Sequence, residues 1–284
     1  MFKMWIKNSS GEVINFNDDN YRIEEVEGLD CPDINISTYE TATMDGEVHE
    51  NSKIKGRHLK IAFQVIALNV EEARLNVYRI LQPKKQLTVY YQSDKMNVFT
   101  KGSVSGISVN YFAMRQIIIV YIDCPKSEWE SMEEEVNELS AVTTDFIFPF
   151  HTVEPIPFSH TELLNNTNIE NKSHIDTGLT IEVYVDDYIE ELTIFDYVTK
   201  EYLKINGTLI PNEDYLIINT NQGEKSVISL KPSGKKANYF NRVDVSSTWL
   251  QLNKPVTTFI YTVGVGKLED VHIKFKHRDK YLGV

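Results

Sequence analysis

Apolar and polar positions divide this chain into many short alternating runs and one helical run. Between residues 57 and 65, Leu59, Ile61, Phe63 and Val65 alternate with His58, Lys60, Ala62 and Gln64, the period of a half-buried β-strand. The period then changes. Ala73, Val77, Ile80 and Leu81 form one apolar stripe at helical spacing. Asn69 stands where an N-cap belongs, and Glu72 three residues on completes a capping box. Glu71 and Glu72 suit the positive end of the helix dipole, Arg79 suits the negative end, and Pro83 stops the helix. Strand patterns follow at 87–91, 96–99, 104–109 and 111–122. Residues 117–122 are apolar without interruption, which predicts a strand covered on both faces. One helix on a set of antiparallel strands needs a single core and can fold as a unit.

Upstream, residues 2–6 and 13–16 flank the turn Asn8-Ser9-Ser10-Gly11 as a hairpin, and short strands are predicted at 21–26 and 34–39. Residues 41–55 are polar around Asp45-Gly46. Two readings stand for so long a polar stretch: a hairpin tip, or an arm that touches a neighbouring subunit. Residues 127–140 are rich in glutamate. Ser127 and Glu130 fit the cap of a short helix bearing Trp129, Met132, Val136 and Leu139, which predicts an exposed acidic helix or linker at a domain boundary. Strand patterns then recur at 146–150, 179–185, 192–195, 202–205, 215–219, 226–230, 247–252, 257–263 and 271–275. Turns are expected at Asn206-Gly207, Asn221-Gln222-Gly223 and Gly264-Val265-Gly266. Short, evenly spaced strands of this kind predict a sandwich. The expected fold is mainly β. A β-sandwich-like domain with one α-helix occupies residues 1–130, and a linker and second β-sandwich occupy 131–284.

Composition narrows the function classes. Hydrophobic residues make up 42% of the 284, enough for a packed core. A net charge of −12 argues against a diffuse basic surface for nucleic acid or anionic membrane. Two cysteines, Cys31 and Cys124, do not make a disulfide scaffold and are read as buried thiols. The N-terminal residues lack an apolar signal core and no run is long enough to span a bilayer, so a soluble chain made in a cytoplasm is expected.

Phosphate-binding glycine loops, dinucleotide fingerprints and the G-x-S-x-G elbow are all missing from the sequence. His272 and His277 fall on opposite faces of one strand, poor geometry for a shared metal. Asp18-Asp19 and Asp186-Asp187 read as exposed turns. Trp249 reads as a core aromatic in preference to a sugar-stacking platform. No catalytic, cofactor-binding or metal-binding residue is assigned, no cofactor is expected, and the chain is not expected to be an enzyme.

Several longer segments carry a resemblance. They are "NFNDDNYRIEEVEG" at 15–28, Asp45-Gly46, Gly56-Arg57, and "EEARLNVYRIL" followed by Pro83-Lys84. They continue with "DFIFPFHTVEPIPFSH", "TGLTIEVYVDDYIEELTIFDYVTKEYLKING", "DYLIINTNQGEKSV" and the final "YLGV". In this order and spacing they resemble the distal tail proteins of long-tailed bacteriophages and prophages of Gram-positive bacteria. The segment "SEWESMEEEVNELSAV" departs from that pattern.

The resemblance implies a virion structural protein at the tail tip, assembled in the host cytoplasm. Its N-terminal domain would build a hexameric ring of copies of itself, and its C-terminal domain would be a galectin-like (jelly-roll) sandwich. The ring would join the tail tube protein to the tail-associated fibre or lysin protein and to receptor-binding proteins. The alternative reading is a carbohydrate-binding module for host cell-wall sugars. A galectin site uses a His-x-Asn-x-Arg run and a tryptophan followed by Glu-x-Arg. Neither occurs here, and the strand at 179–185 offers only Thr180, Glu182 and Tyr184 on its polar face. Lactose titrated into the protein is therefore expected to give no saturable change in tryptophan fluorescence; a saturable change centred on Trp249 would contradict this.

Overall fold

The structure is a computed structural model and describes residues 2–43, 45–139, 166–211 and 215–284. The strand expected at 146–150 and the motif at 145–160 lie outside the described residues. By internal contacts the chain divides into two units, residues 1–133 with 280–284, and residues 134–279.

The first unit contains β1 (Lys3–Asn8), β2 (Val13–Asn15), β3 (Tyr21–Glu27), β4 (Ile34–Glu40), β5 (Glu47–Ile54) and β6 (Arg57–Val65). Helix α1 (Val70–Ile80) is followed by β7 (Gln86–Gln92), β8 (Asn97–Val109), β9 (Ile117–Cys124) and β10 (Trp129–Ser131). The expected N-cap forms, with Asn69 Oδ1 accepting from the Glu72 amide at 3.2 Å; Glu72 Oε2 reaches back to the Asn69 side-chain amide, not to its backbone N–H as in a full capping box. Ala73, Val77, Ile80 and Leu81 are buried as their spacing predicts, within one core shared with the strands.

The sheet runs β2-β1-β7-β8-β9-β6-β3. Strand β8 joins two regions that the sequence separates. Its first half pairs with β7 and its second half with β9. Lys101-Gly102-Ser103 reads as a break but continues the strand. Gly102 is required there, because a Cβ would lie 2.8 Å from Asp123 O and from Cys124 Sγ.

Strand β9 differs from expectation. Ile118, Val120 and Ile122 are buried in the core, whereas Ile117 and Ile119 are half-buried and Tyr121 is 41% exposed. Its hydrogen bonds to β6 and β8 place one face on the core and leave the other at the surface. Residues 111–116, expected in this strand, form a loop.

The second unit contains β11 (Glu135–Leu139), β12 (Asn166–Glu170), β13 (Thr177–Gly178), β14 (Thr180–Val185), β15 (Ile189–Asp196), β16 (Tyr202–Leu209), β17 (Tyr215–Asn219) and β18 (Ser226–Leu230). It continues with β19 (Lys236–Asn238), β20 (Gln251–Leu252), β21 (Val256–Val265) and β22 (Val271–His277). Sheets β11-β22-β14-β17-β18-β19 and β12-β21-β15-β16 contribute their inward residues to one core, the arrangement of a sandwich. Asn206-Gly207, expected as a turn, lies inside β16. There the register slips against β15, with Gly207 at φ +88° opposite Glu191 at φ +54°. The Asn-Gly signal marks a bulge here, which uses the same left-handed backbone as a hairpin turn. The strand expected at 247–252 is reduced to β20.

The acidic segment is not a helix. Trp129 is fully buried in the first core, and β10 pairs with β8 and with the last strand, β23 (Lys280–Tyr281). Strand β11 pairs with β22. The glutamates meet bases: Glu130 with Lys126, Glu128 with Lys280, Glu138 with Lys274 and Glu134 with Arg278. Helical spacing is a local signal, and strand partners distant in sequence override it.

The cysteines also differ from each other. Both are free thiols, but Cys31 is exposed and only Cys124 is buried, where desolvation pushes its thiol up to about 11. Cys31 follows a bend whose Gly28 and Asp30 carbonyls face Arg57. Arg57, only 1% exposed, donates from Nη1 to the carbonyls of Gly28 and Asp30 and from Nη2 to those of Ser127 and Leu282. Its guanidinium lies 5.2 Å from the centroid of the Trp129 ring. Arg57→Ala strands these carbonyls and is expected to lower unfolding free energy by about 3 kcal/mol or more in denaturant titration. Arg57→Lys, lacking the planar fork, should recover less than half of that loss. A wild-type midpoint in Arg57→Ala would show that the carbonyls are satisfied without it.

Candidate interaction surfaces

Strands β4 and β5 form a two-stranded sheet of their own. Every residue of β4 is exposed, including Ile34, Ile36 and Tyr39. An isolated hairpin has little stability in water unless its apolar side chains are covered. Register fixes which side chains share a face. Ile34 pairs with Ile54, Ile36 with Ser52, Thr38 with His49 and Glu40 with Glu47, so these residues lie on one face. Thr38 Oγ1 donates to Glu47 Oε2 on that face. Tyr39, Val48 and Lys53 lie on the other. The strand expected at 34–39 and the polar stretch at 41–55 pair into one hairpin, with one face apolar at the base and acidic toward the tip.

A second surface lies on the outward face of the nine-stranded sheet. Trp5 pairs with Tyr90 and Tyr90 with Phe99, which puts three aromatics in one row across β1, β7 and β8. Trp5 and Tyr90 stack with centroids 5.1 Å apart, and Tyr90 and Phe99 lie 6.1 Å apart. By strand alternation Lys3, Lys7 and Lys101 point the same way, and Lys101 Nζ is 6.0 Å from the Phe99 ring. Sequence reasoning missed this row because its members lie far apart in the chain. Period-two alternation hints at each member, but only register joins them.

A third surface collects apolar side chains at the end of the β6–β9 pair. Leu68, Phe112 and Met114 are fully exposed, and Ile66, Leu75 and Tyr111 are also exposed. Tyr78 and Tyr111 hydroxyls are 2.9 Å apart, and Arg74 lies over the Tyr111 ring, so helix α1 holds the 111–116 loop. A groove of about 710 Å³ beside it is lined by Tyr21, Ile66, Leu68, Leu75 and Asn76, among others. Exposed apolar collections of this kind mark protein–protein contacts.

Polar clusters of the second unit are internally paired. Burial opposes the charge of Glu182, but hydrogen bonds from Lys276 and Tyr215 hold its carboxyl below the ordinary range. His272 Nε2 is 2.7 Å from Asp186 Oδ2, and its ring stacks on Tyr184. As expected, Asp18-Asp19 and Asp186-Asp187 are exposed, and His272 and His277 lie on opposite faces of β22.

Trp249 packs against the second core as a half-buried residue at its margin, stacked on Phe240 at 5.5 Å with Lys225 Nζ 5.6 Å from its ring. Among the described residues, no group of three His, Cys, Asp or Glu is placed to hold a metal, and no helix is long and apolar enough to cross a membrane.

The chain resembles solved bacteriophage structures in fold. The crystal structure of phage SPP1 Dit (gp 19.1), described as a hub adsorption apparatus of phages infecting Gram-positive hosts, aligns with a TM-score of 0.68. That alignment has 13% identity and covers 98% of this chain and 99% of that one. Chains from the phage P2 baseplate in its activated conformation, with calcium and with strontium, align at TM-scores of 0.58 and 0.57. Both have 11% identity and cover 100% of each chain. No family model matches the sequence, and no curated protein matches it.

His277 gives the second unit a pH dependence. It is 4% exposed and burial lowers its pKa, opposed by Asp279, whose Oδ1 is 3.7 Å from Nε2, and by Glu135. The unfolded chain takes up this proton more readily than the folded chain. Stability is therefore full above the ordinary histidine range, near pH 6.5, and falls as pH drops toward the lower folded value. Denaturant titrations between pH 7.5 and 5 are expected to show this loss, and His277→Gln to reduce its slope. An unchanged slope would assign the loss to other groups.

Proposed function

We propose that the chain is a structural hub of a bacteriophage tail tip. In this reading its copies close into a six-membered ring between the tail tube protein and the tail-associated fibre or lysin protein, with receptor-binding proteins attached to the same hub. Its place is the virion, after assembly in the host cytoplasm. The first unit is the ring-forming part, and the boundary expected near residue 130 separates it from a sandwich that serves other contacts. The observation that carries this reading is the fold, which follows the SPP1 hub protein along nearly the full length of both chains. The exposed hairpin and the apolar end of the β6–β9 pair support it, since each leaves surface that a neighbour would cover.

No enzymatic activity is proposed. The carbohydrate-binding alternative has weaker support: Phe240 and Lys225 already engage the Trp249 ring, and Glu182 and Asp186 are held by Lys276 and His272.

The test uses the full chain. A fragment ending at residue 126 would lack Trp129 and the 280–284 segment, both part of the first unit. Sedimentation velocity and negative-stain microscopy are expected to show a closed ring of six that dissociates on dilution. A chain that stays monomeric up to its solubility limit would overturn the ring.

A further inference from the structure

One run of the second unit departs from the charge of the chain. Residues 225–243 hold five bases, Lys225, Lys231, Lys235, Lys236 and Arg242, and no Asp or Glu, in a chain of net charge −12. Pairing gathers these bases at one edge of the six-stranded sheet. Strand β19 is the outermost strand, Leu230 pairs with Lys236, and the Tyr239 amide donates to the Val227 carbonyl. The chain after β19 thus continues beside β18 toward Lys225, and the Trp249 ring meets both Phe240 and Lys225. Lys235 and Lys236, both exposed, stand at one end of this strip, and exposed Lys225 stands at the other. The four residues from Lys236 to Phe240 set the ends about 13 Å apart.

Aromatic rings hold the cations of the strip. Arg242 Cζ is 3.7 Å from the centroid of the Tyr239 ring, and Lys231 Nζ is 5.9 Å from the same ring. Arg242 Nη1 also donates to the Thr208 carbonyl at 2.8 Å. Among the described residues no carboxylate forms a salt bridge with Lys225, Lys235, Lys236 or Arg242. Other bases of this sandwich have one: Lys204 with Glu191, Lys274 with Glu138 and Lys276 with Glu182. The acids bounding the run are Glu224, which is exposed, and Asp244, which accepts from Ser246 and Asn206. A carboxylate cancels a cation, whereas an aromatic face fixes its position and leaves its charge for an outside anion. Lysines on an edge strand also keep sheets from pairing edge to edge. That accounts for Lys236 but not for Lys225 and Arg242, which lie off the strand and on rings.

We propose that this edge binds a linear phosphodiester polymer of polyol units. Lysine and arginine are suited to phosphate oxygens, the one as a point charge and the other as a fork. The two ends of the strip are too far apart for one phosphate, so a repeating anion is needed to engage both. Single-stranded nucleic acid fits less well. Its binders offer aromatic faces on which bases stack, and here Tyr239 carries Arg242 while Trp249 carries Phe240. The acidic balance of the remaining chain confines a polyanion to this strip. The strip lies wholly in the second unit, so this binding needs no ring.

The experiment is calorimetric titration of the full chain with poly(glycerol phosphate), with poly(dT), polyglutamate and inorganic phosphate as comparison ligands. Poly(glycerol phosphate) is expected to bind, and to weaken about tenfold or more between about 50 and 200 mM salt. The three comparison ligands are expected to bind at least about tenfold more weakly at the lower salt. Lys225→Glu with Lys236→Glu, one change at each end, should lower affinity by about tenfold or more. Lys235→Gln with Lys236→Gln, milder changes at exposed positions, should lower it by about threefold or more. Lys85→Glu with Lys95→Glu places the same charge change on exposed lysines of the first unit and should leave affinity unchanged. Thermal midpoints are expected to match wild type throughout. No binding at the lower salt, or an equal loss in both Glu pairs, would overturn the strip. Equal affinity for polyglutamate or poly(dT) would overturn the assignment to a polyol phosphodiester. Neither result touches the ring, which sedimentation reads separately.

Discussion

The first unit depends on a buried cation, Arg57, that makes no salt bridge to a carboxylate among the described residues. Arg57 is held by four backbone carbonyls from three stretches of chain and by the face of Trp129. Carbonyl dipoles replace the water that burial removes, and a planar guanidinium serves several of them at fixed angles where an ammonium would not. Desolvation still lowers its pKa. The geometry admits little else nearby. Gly28 has φ +89°, and a Cβ there would lie 2.0 Å from the His58 carbonyl oxygen. The bend that supplies two of the carbonyls therefore requires glycine.

Around this point the N-terminal bend, the segment before β10 and the last strand meet in one place. Strand β23 closes on β10, and Val284 N donates to Leu29 O. The end of the chain thus completes a core begun by its first strands. Hairpin β4–β5 leaves the sheet directly after the Arg57-bound bend and returns to it just before Arg57. A fixed root gives an otherwise exposed hairpin a defined starting direction.

The surfaces offered to partners differ in physical kind. The hairpin and the aromatic row combine apolar area with opposite charge, and the end of the β6–β9 pair is mainly apolar. On the sandwich of the second unit several charges pair with one another, as in Glu138 with Lys274 and Glu182 with Lys276. Pairs at a surface contribute little stability but discourage non-specific association.

Local chemistry along the chain was legible in the sequence by itself. The Asn69 cap, the Ala73-Val77-Ile80-Leu81 stripe and the alternation of Val271, Ile273 and Phe275 each act within a few residues, so the sequence contains both partners of every interaction that defines them. The mainly β class and the one helix follow from such signals. Tertiary structure decided what depends on residues distant in sequence. Trp129 reads as a helix position and is a strand residue because β8 and β23 flank it. Residues 117–122 read as covered on both faces, yet β9 has only one face on the core. Register across three strands created the Trp5–Tyr90–Phe99 row, and register across a hairpin sorted Glu40 and Glu47 onto the side of Ile34 and Ile36. Strand pairing is a choice among long-range partners that differ little in local preference, so it is settled only when the whole core forms.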